Sequence, residues 1–288
     1  MKHWKEYFND AIEALNKQQY AKSIDATTSC IKAGCTDNTI YEIRFNCYHF
    51  LGQYDKCIIE CDKFLAGHES NYKVRQIRAN CYYEKGNIKE AEDDLNRAIL
   101  DGPSNGLAYS NRGALKGSQE RYEEALIDFD KAESLGCDDM TLYRGRAMSN
   151  FELGNYLESK RDFDRYLLFD DQDVALIITA GEAECELKNY DAGIKLYDKA
   201  ISLEPEIGEG YYRRMHANLD QKNYEIAQTD ANIALKLNAD YFPYEKDGKR
   251  VKITSIVIEE TGKAGFNIMM NKNGIEDYFH EEDFDEDS

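Results

Sequence analysis

A tyrosine that recurs every 34 residues constrains the fold of this chain more than any other feature of the sequence. It stands at Tyr20, Tyr54, Tyr122, Tyr156, Tyr190 and Tyr224, and Ile88 takes its place once. The interval is 34 residues each time, without insertion or deletion. A fixed period of this size predicts a repeat array, in which each unit buries its apolar surface against its neighbours.

Seven frames of 34 residues follow from this register, and they start at Trp4, Asn38, Tyr72, Gly106, Met140, Val174 and Gly208. In each frame, apolar residues recur at helical spacing on both sides of a polar turn, as Tyr109 and Leu115 do before the turn "KGSQ". Frame positions 8 and 20 mostly hold small residues, such as Gly113 and Ala125, which allow close helix packing. Each frame is therefore predicted to be a helix, a tight turn and a second helix.

An arginine at frame position 7 and a carboxylate at position 23 occur together. The pairs are Arg44 with Glu60, Arg78 with Asp94, Arg112 with Asp128, Arg146 with Asp162, and Arg214 with Asp230. In the other two frames both members of the pair are absent. Asp10 and Ala26 stand at the two positions in the first frame, and Ala180 and Leu196 in the sixth. Because the loss is matched, the pattern favours a structural pair joining the two helices of a repeat over a basic binding stripe.

The charge balance and the absence of apolar runs exclude several classes of protein. The formal charge is −19, from 55 Asp and Glu residues against 36 Lys and Arg residues. Such a surface repels a phosphate backbone, so no nucleic-acid partner is expected. No stretch has the length of a membrane span or the apolar core of a signal peptide. Eight cysteines without a secretion signal indicate a reducing compartment, the cytoplasm or the nucleus.

No catalytic or cofactor-binding motif is present. The chain has no G-x-G-x-x-G, no G-x-x-x-x-G-K-[ST], no G-x-S-x-G and no H-E-x-x-H. Cys57 and Cys61 lie one helical turn apart, but both fall at core positions of the repeat, where packed thiols are expected instead of a zinc site. We therefore expect no enzyme activity, no cofactor and no metal.

The period, the small positions, the aromatic positions and two prolines, Pro103 and Pro205, together resemble the tetratricopeptide repeat family over residues 4–241. The resemblance implies an all-α fold, a right-handed superhelical α-solenoid of seven helix-turn-helix repeats. In this family the first helices line an inner groove that holds an extended peptide or a short helix. The first two repeats depart most, since Thr27 and Cys61 stand where a large apolar residue is usual and Phe64 where Ala is usual.

The family resemblance predicts that polar residues of the first helices line the groove of this chain. The candidates are Asn46, His49, Lys73, Gln76, Asn80, Tyr83, Ser110, Asn111, Arg144 and Met148. An asparagine can donate and accept at once and can hold a peptide backbone, although these residues could also be merely solvated. Farther along, five acids predict a basic end of the ligand: Glu152, Glu182, Glu186, Glu209 and Asp220.

These features predict a non-catalytic adaptor that binds a protein or peptide, and a narrower alternative is a co-chaperone. Chaperone-binding members of the family grip the terminal carboxylates of heat-shock chaperones with a clamp of Lys, Asn and Arg. Here Asn80 and Asn111 match that clamp, whereas Gln76, Thr141 and Gly145 stand where Lys, Lys and Arg are expected. The clamp is degenerate, because its cations are missing.

The period ends before residue 242. Residues 242–275 include the β-branched stretch "KITSIVI" and are predicted to cap the array, as a β-hairpin or an irregular helix. An alternative makes them a small regulatory or catalytic module, with the repeats as its targeting arm. Residues 276–288 are acidic and expected to be disordered. A rival idea seats this tail in the chain's own groove, near Lys73 and Arg144.

Overall fold

A computed structural model describes residues 3–237 and, beyond them, the backbone of short strands at 245–246, 249–250, 252–258, 264–270 and 275–280. Within residues 3–237 the chain forms fourteen α-helices. They are α1 (Trp4–Asn16), α2 (Tyr20–Lys32), α3 (Thr39–Phe50), α4 (Tyr54–Leu65), α5 (Tyr72–Glu84), α6 (Ile88–Asp101), α7 (Gly106–Gly117), α8 (Tyr122–Ser134), α9 (Met140–Glu152), α10 (Tyr156–Tyr166), α11 (Val174–Glu186), α12 (Tyr190–Leu203), α13 (Gly208–Asp220) and α14 (Tyr224–Leu237).

The helices follow the 34-residue frames. Every second helix begins at the residue that defines the period, and every first helix begins at the start of its frame or, for α3, one residue later. The predicted helix-turn-helix repeat is therefore confirmed. The two helices of a repeat pack on each other, as α1 does on α2 and α7 on α8, and second helices pack on the next first helix, as α2 does on α3.

The chain divides into two compact units, Met1–Ser149 and Asn150–Ser288, and α9 spans the boundary. In the first unit, the first helices of successive repeats lie side by side, α1 against α3, α3 against α5 and α5 against α7. In the second unit, α11 lies against α13 in the same way. Neighbouring first helices thus share one face within each unit.

The small residues at frame position 8 face large rings at position 24. A Cβ atom added at Gly113 would lie 2.8 Å from the Phe129 ring, and one at Gly181 would lie 2.6 Å from the Tyr197 ring. Phe129 and Tyr197 are 0% and 1% exposed, so each ring is enclosed between the two helices of its repeat. The glycines are required because a ring occupies the space of their missing side chains.

The turn between the helices of a repeat has a left-handed residue at frame position 15. Glycine supplies it at Gly52, Gly86 and Gly154, with φ between 67° and 75°. Other residues adopt the same conformation, with φ of 55° at Gln18, 61° at Glu120, 63° at Lys188 and 64° at Lys222. A polar turn is expected from the sequence, and the structure shows that it requires a left-handed backbone at this position.

The segment after α14 contains antiparallel strands. Strand β1 (Glu245–Lys246) pairs with β2 (Lys249–Arg250), and β3 (Lys252–Ile258), β4 (Ala264–Met270) and β5 (Ile275–His280) form a sheet in the order β3-β4-β5. The sequence predicted either a β-hairpin or an irregular helix here, and the antiparallel strands β3 and β4 match the hairpin. Strand β3 lies next to α14.

The prediction of disorder for residues 276–288 is corrected in part. Residues 276–280 belong to β5, which pairs with β4 from Met270 opposite Ile275 to Gly265 opposite His280. The free edge of β4 offers backbone hydrogen bonds to a third strand, and this outweighs the acidic composition of the segment. Residues 281–288 lie outside the described residues.

Helices long and apolar enough to cross a bilayer were sought among the described residues, and none has both properties.

Candidate functional site

The ten predicted groove residues lie on the first helices α3, α5, α7 and α9, and all belong to the first compact unit. Because α3, α5 and α7 are neighbours, their side chains can form one continuous surface. We call the side of these helices that carries Asn46, Asn80 and Asn111 the asparagine face.

The three asparagines are half-buried and retain unused hydrogen-bonding atoms. Asn111 Nδ2 donates to Asn80 Oδ1 over 3.4 Å, which is long for a hydrogen bond. Within residues 3–237, Asn80 Nδ2 and Asn111 Oδ1 have no hydrogen-bond partner, and neither has the side-chain amide of Asn46. These groups offer both donors and acceptors to a ligand on two or more neighbouring repeats.

Gln76 and Ser110 are buried, which corrects the prediction that they line the groove. They are 6% and 0% exposed. Gln76 Oε1 accepts a hydrogen bond of 2.8 Å from Asn105 Nδ2, and Ser110 Oγ donates over 3.3 Å to Asp139 Oδ1. Both contacts join a first helix to the residue that precedes the next first helix. These short side chains at frame position 5 therefore connect repeats instead of facing a ligand.

The cations near the asparagines already have contacts in the chain. Lys73 Nζ lies 3.7 Å from Glu42 Oε2, and the Lys73 side chain is 56% exposed. Burial raises the pKa of Glu42, and the charge of Lys73 opposes that rise. Arg144 is exposed and Met148 is half-buried on α9. A ligand carboxylate at Lys73 would therefore compete with Glu42.

His49 belongs to an aromatic cluster at the end of α3. Its ring lies 5.7 Å from Phe50 and 5.6 Å from Tyr54, and the Phe50 ring stacks on Tyr20 at 5.0 Å. Burial lowers the pKa of His49, and its Nε2 atom is buried without a partner among the described residues. Phe50 is 58% exposed. The sequence predicted only His49 here, although the run "YHF" at the end of α3 could have indicated its neighbours.

Tyr83 holds the same frame position on α5 that His49 holds on α3, and it is 42% exposed. It follows Asn80 by three residues, which places the two on the same side of the helix. Tyr83 therefore adds an exposed ring beside the asparagine face.

The arginines at frame position 7 bind carboxylates across the two helices of a repeat. Arg78 Nε and Nη2 each lie 2.6 Å from Asp94, and Arg112 and Arg214 hold Asp128 and Asp230 with the same two-bond geometry at 2.6–2.9 Å. Arg44 Nη2 lies 2.8 Å from Glu60 Oε1. Asp94, Asp128 and Asp230 are nearly fully buried. Paired, two-bond geometry of this kind holds helices in register.

The same arginines also reach frame position 25 of the preceding repeat. Arg78 lies 2.5 Å from Asp62, Arg112 lies 2.7 Å from Asn96, Arg146 lies 3.2 Å from Asp130, and Arg214 lies 2.5 Å from Asp198. The sequence prediction missed these contacts. A polar residue stands 16 positions before each of these arginines, and this constant spacing could have indicated them. One residue type therefore joins both the helices of a repeat and the repeats to each other.

In the second unit, two of the five groove acids are bound by an arginine. Arg213 Nε lies 3.1 Å from Glu182 Oε1, and its Nη2 lies 3.5 Å from Glu209 Oε1. Burial raises the pKa of Glu182; the charge of Arg213 opposes that rise, and neighbouring carboxylates add to it. A basic end of the ligand, expected from these acids, stays a prediction.

The described residues hold no cluster of three or more His, Cys, Asp or Glu side chains that could bind a metal. Cys57 Sγ lies 3.9 Å from Cys61 Sγ, and both residues are fully buried. The Cys61 thiol and burial both raise the pKa of Cys57, which disfavours the thiolate that a metal requires.

Comparison with known proteins identifies the fold. No family model and no curated protein sequence matches this chain. Solved structures do match it. One is YrrB, described as a TPR protein with an unusual peptide-binding site. It is 16% identical, with a TM-score of 0.59, and the match covers 63% of this chain and 93% of YrrB. PilF of Pseudomonas aeruginosa is 14% identical, with a TM-score of 0.60, over 70% of this chain and 92% of its own.

A tetratricopeptide repeat protein from Parabacteroides merdae covers more of the chain. It is 20% identical, with a TM-score of 0.53, over 85% of this chain and 94% of its own. At such identities the likeness establishes the fold and leaves the ligand open.

Proposed function

Because the chain has the tetratricopeptide repeat fold, we propose that it is a non-catalytic adaptor that binds a partner protein through the asparagine face. The ligand is an extended peptide or a short helix of the partner. The observation that carries this proposal is the set of unused amide atoms of Asn46, Asn80 and Asn111 on neighbouring first helices.

The spacing of the asparagines suits an extended backbone. Helices in contact lie roughly 8–10 Å apart. An extended chain advances about 3.3 Å per residue, so one helix spacing corresponds to about three residues of ligand. Asn46 and Asn80 share a frame position on adjacent first helices. They can therefore bind backbone groups of two ligand residues that lie about three positions apart. Since the amides read the backbone, the ligand's side chains would be selected by other contacts.

The exposed rings beside the asparagine face supply such contacts. Tyr83 is 42% and Phe50 is 58% exposed, and both lie on first helices. Apolar or aromatic ligand side chains would bury surface against them. YrrB, which has a similar fold, is described as having a peptide-binding site, and this agrees with a peptide ligand.

The heat-shock chaperone alternative is supported by one contact. Asn111 and Asn80 lie together, as two positions of the family's carboxylate clamp require. Gln76, which stands at a cation position of that clamp, is neutral and bonded to Asn105. A chaperone C-terminal peptide is therefore the less favoured ligand, and its capture in the experiment below would reverse that preference.

The remaining proposals concern the chain outside the asparagine face. We propose that the β3-β4-β5 sheet caps the array, since β3 lies next to its last helix. A regulatory module there, with the repeats as a targeting arm, is the alternative. Eight free thiols agree with a reducing compartment, the cytoplasm or the nucleus.

Affinity capture from cytosolic extract, with mass spectrometry of the bound proteins, tests the proposal. The wild type is compared with a variant in which Asn46, Asn80 and Asn111 are all changed to Ala. We expect a specific partner that the variant loses. Thermal melting of both proteins checks that the variant is folded.

A matched control changes three exposed side chains of the second helices, Ile59, Leu100 and Ile127, to Ala. These side chains are 52%, 71% and 69% exposed, so the changes should cost little stability. We expect this control to keep the partner. Loss of the partner in the control, with retention in the asparagine variant, would move the binding surface to the second helices and overturn the proposal.

A further inference from the structure

An open cavity of about 530 Å³ lies in the second compact unit, beside the turn between α11 and α12. Three lysines line it, together with two carboxylates and two amides: Lys160, Lys188, Lys195, Glu184, Asp191, Asn189 and Gln221. The concentration of lysines is unusual in a chain whose formal charge is −19. None of these residues belongs to the asparagine face.

One of the lysines neutralises the buried carboxylate of the cavity. Lys160 Nζ lies 2.6 Å from Glu184 Oε1, and Glu184 is 6% exposed. Asn189 Nδ2 donates to the other Glu184 oxygen over 2.9 Å. Glu184 is therefore satisfied on both oxygens, and its charge is compensated within the wall of the cavity.

The other two lysines are not compensated in this way. Within residues 3–237, neither Lys188 nor Lys195 forms an ion pair; Lys188 Nζ lies 5.8 Å from the centre of the Tyr190 ring. The second carboxylate of the cavity, Asp191, accepts a hydrogen bond of 2.6 Å from Gln221 Nε2. The Tyr190 phenol and, after it, the charges of Glu186 and Asp220 raise the pKa of Lys188. Two ammonium groups thus line a shared space with no carboxylate in ion-pair contact among the described residues.

The backbone beside the cavity adds charge of the same sign. Asn189 precedes α12, and its side chain is bound to Glu184 and makes no cap hydrogen bond. The residues that precede α2, α4, α6, α8 and α10 make none either. As at those helices, the first amide groups of α12 keep their partial positive charge, and here they lie beside the cavity.

From the lysine-lined cavity we infer a binding site for a phosphate-type anion. A multiply charged group gains from both unpaired lysines, whereas a single carboxylate gains less. The volume is within the usual range of ligand pockets, about 300–1,000 Å³, so a diphosphate or a phosphorylated side chain with its backbone has room. The anion could be free or carried by a peptide. This inference does not depend on the peptide ligand of the asparagine face.

Calorimetric titration with three probes tests the site: pyrophosphate, a peptide with one phosphoserine among neutral residues, and the same peptide unphosphorylated. Amide NMR shifts of residues 188–195 report where each probe binds. The test variant is Lys188→Gln with Lys195→Gln. The control is Lys222→Gln with Lys236→Gln, which removes the same charge from the same unit.

Lys222 is a close match for Lys188. It has the same frame position one repeat later, with φ of 64° against 63° at Lys188. Any loss of stability caused by substitution at a left-handed residue should therefore be equal in the two variants. A difference in binding between them isolates the effect of the cavity.

We expect a saturable site in the wild type and in the control, with affinity at least about tenfold lower in the test variant and lower still at high salt. Pyrophosphate binding alone would identify a free anion, and binding of the phosphopeptide alone would identify a peptide-borne group. No probe binding at about 1 mM would overturn the inference. So would equal losses in both variants, because they would show only a general effect of charge.

Discussion

In the second repeat, a large and a small side chain have exchanged places. Frame positions 8 and 24 hold Gly113 and Phe129 in the fourth repeat, but Phe45 and Cys61 in the second. Phe45 and Cys61 are buried in one core cluster, at 1% and 0% exposure. Taken singly, each residue departs from the repeat pattern, whereas the pair still combines one large ring with one small side chain.

This exchange predicts non-additive effects of substitution. Cys61→Phe should destabilise the protein by about 1–3 kcal/mol through overpacking against Phe45, and Phe45→Ala by about 3–5 kcal/mol through a cavity. The double variant should cost less than the sum of the two by at least about 1 kcal/mol, because the new ring fills the new cavity. Urea unfolding measures all three free energies. Additive costs would show that the two side chains do not share one space.

The left-handed turn residues predict a stabilising substitution. Glu120 has φ of 61°, a conformation that costs a residue with a side chain about 1 kcal/mol and costs glycine little. Glu120→Gly should therefore raise the free energy of unfolding by about 0.5–1 kcal/mol, and the control Gly86→Ala should lower it. Urea unfolding again provides the measurement. Destabilisation by Glu120→Gly would mean that the glutamate side chain contributes more than its backbone strain costs.

His49 predicts a loss of stability in mild acid. Burial lowers its pKa in the folded protein below the unfolded value of about 6.5, while the charge of Glu84 opposes that shift. The contribution of neutral His49 is therefore present above pH of about 6.5 and is lost as the pH falls toward the lowered pKa. His49→Gln should flatten the slope of unfolding free energy between pH of about 7 and 5. An unchanged slope in the His49→Gln variant would show that groups other than His49 cause the loss of stability in acid.

At the scale of the helices, an arginine at frame position 7 organises most repeats, and the sixth repeat lacks it. There the residues are Ala180 and Leu196. Lys160 of α10 instead reaches Glu184 of α11 over 2.6 Å, so a lysine joins the fifth and sixth repeats where an arginine joins others. The missing pair could be predicted from the sequence. The ion pair that replaces it could not be predicted, since Lys160 and Glu184 occupy other frame positions.

Removing Lys160 should expose this role. Lys160→Met leaves the nearly buried Glu184 carboxylate without its cation and should cost about 1–3 kcal/mol, less than a fully buried pair because Lys160 is 31% exposed. Lys160→Met combined with Glu184→Met should recover most of the loss. Guanidinium unfolding distinguishes the cases, and a double variant no more stable than the single one would contradict the pairing.

At the scale of the whole molecule, the period alone predicted where the helices begin, because a repeat buries its apolar face only in one register. The right-handed winding of the array stays a prediction. Site residues were harder to predict, since frame position 5 holds buried Gln76 and Ser110 in two repeats but exposed Arg144 in another. Whether such a side chain turns into the helix contact depends on its length and on the residue that precedes the next repeat.

Photocrosslinking tests the central claim, binding on the asparagine face, most directly. A photoreactive phenylalanine replaces Tyr83, which is 42% exposed beside Asn80, and in a second protein it replaces Ile127, which is 69% exposed on α8. After illumination in cytosolic extract, we expect position 83 to crosslink to a defined segment of one partner and position 127 to give no crosslink to it. Crosslinks of that partner from position 127 alone would contradict binding on the asparagine face.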